Sequence, residues 1–452
     1  MKILKGSIIP VLAVCSLAAS AKAQEYFREY GTSWTSGGIG RLSPAATVFE
    51  GNEATGLPQI QPADELAKED AYNLRLGNVD FAFAFGLGVE ANDNIDLSDH
   101  NRESDIIFRP EFDIEGLWRI SEDNKIRFGL GIGYAKYMDH SEFDSDSVLL
   151  APNSAITWSV RHGTMTFTLR ERLSYQEDPF DEPTLSGVAT YRRWENQIGA
   201  EVDWAASEYT NIAVGYDRYD EWSKEEVFKS QDRGMDTVFI RPSYQISPSV
   251  AVGLSASFSW VNYKEDLQAD STVWLVGPYI KWRINDVLNL YAEVGYQQTN
   301  FDGTSVFQIF DPNTGKPTGG VITDDEDSGS MYAKVELVHV PTENFRHRLI
   351  ASKTTELGLG SNFYDLYHVE YTIDWKIGEN TSIRPALFYE YYETSGDQSE
   401  KAHRFGAALG IYRILTDHLT LGLDYRYLRK DSNLPDSDYY QNLGMLSIYY
   451  KF

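Results

Sequence analysis

The sequence predicts an all-β fold, a transmembrane antiparallel β-barrel of about 18 strands, with 16 as the alternative count. Three observations predict it. Apolar and polar residues alternate with period 2 from about residue 79 to the last residue. The connections alternate between tight turns and long polar loops. Aromatic residues collect on the apolar face at both ends of the strands. Composition removes the competing classes. No apolar stretch in the 452 residues is long enough for a helical membrane span. Acidic residues outnumber basic ones 67 to 40, which argues against a nucleic-acid partner. An aromatic content of 13% is too high for a disordered chain.

Residues 1–23 read as a secretory signal peptide. Lys2 and Lys5 precede an apolar run from Ile8 to Ala19, and Ala21-Lys22-Ala23 is an A-x-A cleavage site before Gln24. A lipoprotein cut at Cys15 is disfavoured, because Val14 is too large for the residue before a lipidated cysteine. Cleavage leaves 37 basic and 67 acidic residues, net −30, and no thiol, so no disulfide can hold the exported chain. Residues 24–78 contain Gly, Pro and Ser, with a helical turn or two over Ala63–Ala71. They read either as a periplasmic tail or as a plug packed inside the barrel.

The barrel then occupies 79–452. In Val79–Ala91, Phe81, Phe83, Phe85, Leu87 and Val89 share one face, with Ala82, Ala84, Gly86, Gly88 and Glu90 on the other. Ile106, Phe108, Pro110, Phe112, Ile114 and Trp118 alternate with Arg109, Glu111, Asp113, Glu115 and Arg119. After a turn at Ser121–Asn124, a third strand runs from Ile126 to Tyr134. Further strands centre near 154, 169, 197, 214, 240, 256, 278, 292, 335, 349, 370, 387, 409, 423 and 446, those near 154 and 349 alternating poorly. Tight turns fall at His162-Gly163, Ser247-Pro248-Ser249, Asn285-Asp286 and Gly378-Glu379-Asn380, and long loops at 92–105, 176–187 and 299–329. A soluble sandwich needs neither this rhythm nor strands this long.

Trp118, Trp158, Trp204, Trp282 and Trp375 sit on the apolar face two to four residues before a short turn and form one aromatic belt. Tyr134, Tyr175, Tyr216, Trp260, Tyr296 and Tyr425 precede long loops and form the other. Short turns face the periplasm in such barrels, which places both chain ends there.

The last strand ends in Phe452, with Tyr450, Ile448 and Leu446 alternating back from it. It resembles the terminal strand of bacterial outer-membrane proteins, which implies recognition of Tyr450 and Phe452 by the barrel assembly machinery. Pro110, Pro152, Pro242, Pro278 and Pro385 recur mid-strand on the apolar side, as in IIFRPEF, VFIRPSY and TSIRPAL. Strand interiors normally exclude proline, so the recurrence suggests duplicated hairpins. With the N-terminal extension and the strand count, residues 79–452 resemble the β-barrel porin 2 group, some of whose members lie near exopolysaccharide genes. That resemblance implies a Gram-negative outer-membrane porin and assigns no functional residue.

The polar faces supply a candidate pore lining: Arg109, Glu111, Asp113, Arg127, Arg170, Arg172, Arg241, Glu293, Arg384, Glu390 and Arg426, extended by Glu201, Asp203, Lys281, Lys334, Glu336 and Asp424. Nine of these are basic and eight acidic, so the wall is mixed. The acidic excess lies in loops 92–105, 138–147, 176–187 and 299–329, with 19 Asp/Glu against 2 Lys/Arg. These loops read as solvated surface, or as a negative mouth that concentrates cations or bridges lipopolysaccharide through divalent ions. Tyr191, Phe239, Tyr279, Tyr291, Tyr364, Phe388 and Tyr449 face the lumen, either packing against a plug or forming a track for sugars. Gly86, Gly88, Gly129, Gly131, Gly133, Gly406, Gly410 and Gly422 leave a bare sector of wall against which part of 24–78 can insert.

No enzyme is predicted. The eight His are dispersed without metal-ligand spacing, and Gly129-x-Gly131-x-Gly133 precedes no helix and is no nucleotide loop. Neither a cofactor nor a metal is expected. The functional expectation is a porin-like channel for small hydrophilic solutes, including saccharides. The alternative is a plugged barrel, structural or serving polysaccharide export. Expected partners are outer-membrane lipid and lipopolysaccharide, the assembly machinery and the solute.

Overall fold

The structure is a computed structural model, described over residues 74–152, 154–310 and 317–452. The predicted signal peptide and residues 24–73 of the N-terminal segment lie outside the described residues. Eighteen strands form the wall. The first six are β1 Val79–Asn92, β2 Asp105–Ser121, β3 Asn124–Gly133, β4 Ala155–His162, β5 Met165–Gln176 and β6 Arg193–Ala205. The next six are β7 Thr210–Ser223, β8 Arg233–Ser247, β9 Val250–Tyr263, β10 Ser271–Asn285, β11 Leu288–Phe301 and β12 Ser328–Thr342. The last six are β13 Phe345–Leu357, β14 Phe363–Ile377, β15 Thr381–Thr394, β16 Lys401–Thr416, β17 Leu419–Ser432 and β18 Tyr439–Lys451. Each pairs antiparallel with the next, and β18 closes on β1 from Ala84↔Lys451 to Asn92↔Leu443. Closure removes the unpaired edges that lipid cannot satisfy.

The period-2 pattern decides which face goes where. On β1, Phe85, Leu87 and Val89 are exposed while Ala82, Ala84 and Glu90 are buried. On β18, Leu446, Ile448 and Tyr450 are exposed while Met445, Ser447 and Tyr449 are buried. The apolar face therefore points out toward lipid and the polar face points in. The belt residues Trp118, Trp158, Trp204, Trp282 and Trp375 are all exposed on the outer face, at the short-turn end. Both ends of the described wall lie at that end too. Tyr450 and Phe452 extend the outer apolar row, their rings 5.1 Å apart.

Four of the five recurrent prolines lie within strands, and the ladders accommodate them on one side only. Pro242, Pro278 and Pro385 pair with Ile212, Leu254 and Leu409. On the opposite side the β8–β9 register passes from Ile240↔Ala256 to Ser243↔Gly253, and β10–β11 and β14–β15 skip likewise. A proline has no N–H to give that side. Pro110 pairs with Leu87.

Two expectations need correction. Pro152 lies in a turn, because the strand predicted near 154 begins only at Ala155. Tyr175 has the outward parity of the second belt but is buried, because the connection from β3 to β4 folds back over it. Leu150 pairs with it, Asp146 accepts its hydroxyl at 2.6 Å, and Trp194 stacks on its ring at 4.8 Å. Residues 74–78 do not enter the lumen. Leu74–Leu76 forms an exposed hairpin on Val79–Phe81, turned at Gly77 with φ +64°.

Candidate functional site

The residues predicted to line a pore point inward. Glu111, Asp113, Arg127, Arg170, Arg172, Glu293, Arg384, Glu390 and Arg426 are buried, and Arg109 and Arg241 expose 12% and 14% of their side chains. Strand register turns this mixed wall into a set of cross-strand ion pairs. Arg109 Nε lies 2.7 Å from Glu90, and Arg127 donates to both oxygens of Glu115 at 3.1 Å. Arg170 bridges Glu201 at 2.9 Å and Asp217 at 2.8 Å. Arg384 lies 3.2 Å from Asp374. Arg109, Arg127 and Arg170 reach Glu90, Glu115 and Glu201 diagonally, two residues off the facing position, and Asp217 lies level with Arg170 one strand further. Such pairs add little net stability, but removing one partner strands a buried charge.

Three of the predicted inward rings, Phe239, Tyr279 and Phe388, pack against the wall. Phe239, Tyr279 and Phe388 lie directly opposite Gly215, Gly253 and Gly406, and Tyr332 lies opposite Gly295. In each case a Cβ on the glycine would collide with the ring. The aromatic covers the backbone that glycine leaves open, so these rings pack against the wall itself. Part of the predicted bare sector is covered from within the wall: Glu111 covers Gly86, Phe388 covers Gly406, and Ser447 with Tyr412 covers Gly422.

Two of the acidic loops fold inward instead of forming a mouth. The loop 177–192 leaves the wall after β5, and its tip docks on β15 to β17. In the ring of eighteen strands, β15 lies ten strands from β5 one way and eight the other, on the opposite side. Asp178 caps a 3-10 turn at Pro179–Asp181, its carboxylate accepting the Phe180 N–H at 2.9 Å. That turn drives Phe180 into a cluster with Leu97, Ala386, Phe388, Ala408, Leu428 and Tyr439. The opposite wall supplies the donors for the loop carbonyls. Arg404 donates to Phe180 O at 3.0 Å, and Tyr392 donates to Pro183 O at 3.0 Å. Lys430 reaches Ser186 Oγ at 2.9 Å and Thr184 O at 3.4 Å. The Arg426 guanidinium lies 4.1 Å over the Phe180 ring. Without these donors the buried carbonyls would carry a desolvation cost of ~1–3 kcal/mol each.

The loop 93–104 meets the same cluster through Leu97, whose carbonyl accepts the Gly187 N–H at 3.0 Å. Asn94 ties this loop to the Tyr440 carbonyl at 2.8 Å. At the root of the longer loop, Glu177 accepts from Ser145 Oγ at 3.0 Å and lies 4.0 Å from Arg192. Burial pushes the Glu177 carboxyl up to about 7, against the pull of Arg109, Ser145 and Arg192.

Other loop acids also find local partners. Asp105 accepts the backbone N–H groups of Met138, Asp139 and His140, and Asp324 accepts from Ser395 and Asn362. The rim gathers Asp99, His100 and Asp436, with ligating atoms within 4.8 Å of one another, which the dispersed sequence positions did not reveal. Exposed groups of this kind are common without an ion.

Arg404, Lys430 and Tyr392 are absent from the predicted lining. The parity that places Gly406 and Gly410 inward also places Arg404 inward, so that signal was present. Their partners are loop carbonyls more than 200 residues away, which no local pattern announces.

No family model matches the chain, and no curated protein matches it. Solved structures do. OpdL of Pseudomonas aeruginosa is 10% identical, with 83% of this chain and 100% of that chain covered and a TM-score of 0.44. A BenF-like porin of Pseudomonas fluorescens Pf-5 is 8% identical over 83% and 100%, TM-score 0.46. OccK2 (OpdF) of P. aeruginosa, solved with glucuronate, is 8% identical over 82% and 98%, TM-score 0.45. No residue's role transfers at this distance.

Proposed function

We propose that the chain is an outer-membrane channel for small hydrophilic solutes, its lumen narrowed by two inward loops. The supporting observation is the loop 177–192, which crosses to the opposite wall and is held there by Arg404, Lys430 and Tyr392. Closed barrels with an apolar outer band, paired aromatic belts and alternating loop lengths occupy bacterial outer membranes, with their long loops outside. A barrel of this size keeps an aqueous interior unless something fills it. The wall residues Arg109, Glu111, Asp113, Arg127, Arg170, Arg172, Arg241, Glu293, Arg384, Glu390 and Arg426 line that interior. Because most of their charges are paired, selectivity among ions is weak and passage depends mainly on size. Tyr450 and Phe452 are the residues offered to the assembly machinery. The chemistry is conduction, without catalysis.

The density of buried ion pairs around the docked loop favours a second reading, a barrel plugged by its own loops. Single-channel recording in planar bilayers separates the two. Discrete open steps support the channel. Silence, in protein whose folded state is confirmed by heat-modifiable gel mobility, supports the plug. Cation preference at low salt, lost near 1 M where the screening length is about 3 Å, would restore a role for the acidic rim.

A further inference from the structure

We propose that the lipid-facing side of β14 and β15 carries a binding site for the sugar headgroup of an outer-leaflet glycolipid. A cleft of about 460 Å³ opens there, lined by Phe363, Tyr367, Tyr389 and Tyr391 and by three carboxylates, Asp365, Glu393 and Glu326. The six of these on β14 and β15 have outward parity, and Tyr367 and Tyr389 are exposed to 47% and 44%. The cleft therefore faces the membrane and not the lumen.

Its height fixes what it meets. On β14, Trp375 belongs to the short-turn belt and Tyr367 lies eight residues further up the same face. At about 3.3 Å per residue and a tilt of roughly 40° that is a rise of ~20 Å, and Asp365, two residues higher, reaches ~25 Å, about the height of the apolar band of such barrels. Val369, Tyr371 and Ile373 fill the interval on the outer face. The cleft thus straddles the level where acyl chains end and headgroups start.

Its chemistry fits a sugar. The Tyr367 and Tyr391 rings stand 6.0 Å apart at a tilted angle, offering flat surfaces for the C–H face of a pyranose. Tyr389 is held by a 2.8 Å hydrogen bond between its hydroxyl and His403 Nδ1. Asp365 and Glu393 supply carboxylate acceptors for sugar hydroxyls. Lys353 lies 3.1 Å from Asp365 and Lys401 lies 2.6 Å from Glu393. These ammonium groups flank the rings and can exchange part of their carboxylate contact for a phosphate on the headgroup. Outer-belt tyrosines elsewhere make single polar contacts, as Tyr425 does with Asn442 at 2.7 Å. Rings, carboxylates and ammonium groups converge on this cleft.

The site shares only its membrane orientation with the channel reading, and conductance does not enter its test. Full-length folded protein in detergent is titrated with lipid A, with the deacylated sugar bisphosphate, and with phosphatidylglycerol, and retained ligand is counted by native mass spectrometry. The expected result is one lipid A retained under conditions that strip phosphatidylglycerol, with the free sugar bound far more weakly. The double variant Tyr367→Ala/Tyr391→Ala lowers lipid A retention about tenfold or more, from two lost ring contacts, while heat-modifiable mobility stays unchanged. Should that variant fail to fold, Glu393→Gln is measured in its place and lowers retention several-fold. Equal retention by variant and parent, or equal retention of phosphatidylglycerol, overturns the site. Free sugar binding as tightly as lipid A overturns the glycolipid as its occupant.

Discussion

Two sectors of the inner wall cover their backbone by opposite means. From β7 to β12 the covering is local: Phe239, Tyr279 and Tyr332 close over glycines on the adjacent strand, and Arg233 on β8 meets Glu221 on β7 at 3.0 Å. From β15 to β18 the same device appears at Gly406 under Phe388 and at Gly422 under Tyr412, but the Phe388 ring is itself covered by Phe180 of a loop from the far side. Here Arg404, Lys430 and Tyr392 spend their donors on loop carbonyls. The first sector is complete once strands are in register. The second is complete only when the loop arrives. The narrowing of the lumen is therefore a property of one wall and the two loops that meet on it, separable from the barrel.

The comparison breaks most visibly if the loop is removed. Replacing 178–186 with a short glycine link is expected to raise single-channel conductance several-fold while the barrel still forms, as heat-modifiable mobility and circular dichroism would check. Arg404→Ala comes next. It removes the donor to Phe180 O and leaves Glu390 short of a 2.9 Å partner, for an expected loss of ~3–5 kcal/mol in denaturant titration, together with a noisier open channel. Gly215→Ala sharpens the contrast from the other sector. Its Cβ meets Phe239, so ~1–3 kcal/mol of stability is lost, yet conductance stays at the parent level because no loop docks there.

Tyr392→Phe keeps the ring and removes the hydroxyl's bonds to Pro183 O and to Glu400. An expected ~0.5–1.5 kcal/mol loss in loop docking appears as more frequent brief openings with unchanged unitary current. The smallest effect is the pH dependence set by Glu177, whose carboxyl rises from 4.5 to about 7 in the docked loop. The docked form holds its proton more tightly, so docking is fully favoured below about pH 4.5 and weakens as pH rises through 7. Openings recorded at pH 8 are expected to outnumber those at pH 5, and Glu177→Gln to remove the difference.

The wall was legible because it depends on parity alone. Alternation on β1 and β18 put Phe85 and Leu446 outside and Glu90 and Tyr449 inside without any knowledge of partners. Parity failed only where a second layer covered the wall, as over Tyr175, or where apolar residues ran without alternation, as in Leu149, Leu150 and Ala151 before the true start of β4. The loops were misread for a related reason. Their acids suggested a solvated mouth, while the informative residues were the isolated apolar ones, Leu97 and Phe180, which have no place in a solvated loop. The donors that hold them reside on strands distant in sequence and reach backbone carbonyls, which every residue possesses.

The docking of the loop tip is most directly measured by a disulfide. Ser186 Oγ lies 2.9 Å from the Ser437 carbonyl, in the loop between β17 and β18 on the opposite wall. Cys15 is the single cysteine of the sequence and lies in the predicted signal peptide, so in protein produced from residue 24 onward the double variant Ser186→Cys/Ser437→Cys reports on this contact alone. A bond that forms on mild oxidation of the folded barrel, and leaves the unitary conductance of the reduced protein unchanged, is the predicted result. Two thiols that stay free and react independently with a maleimide would contradict a loop docked across the lumen.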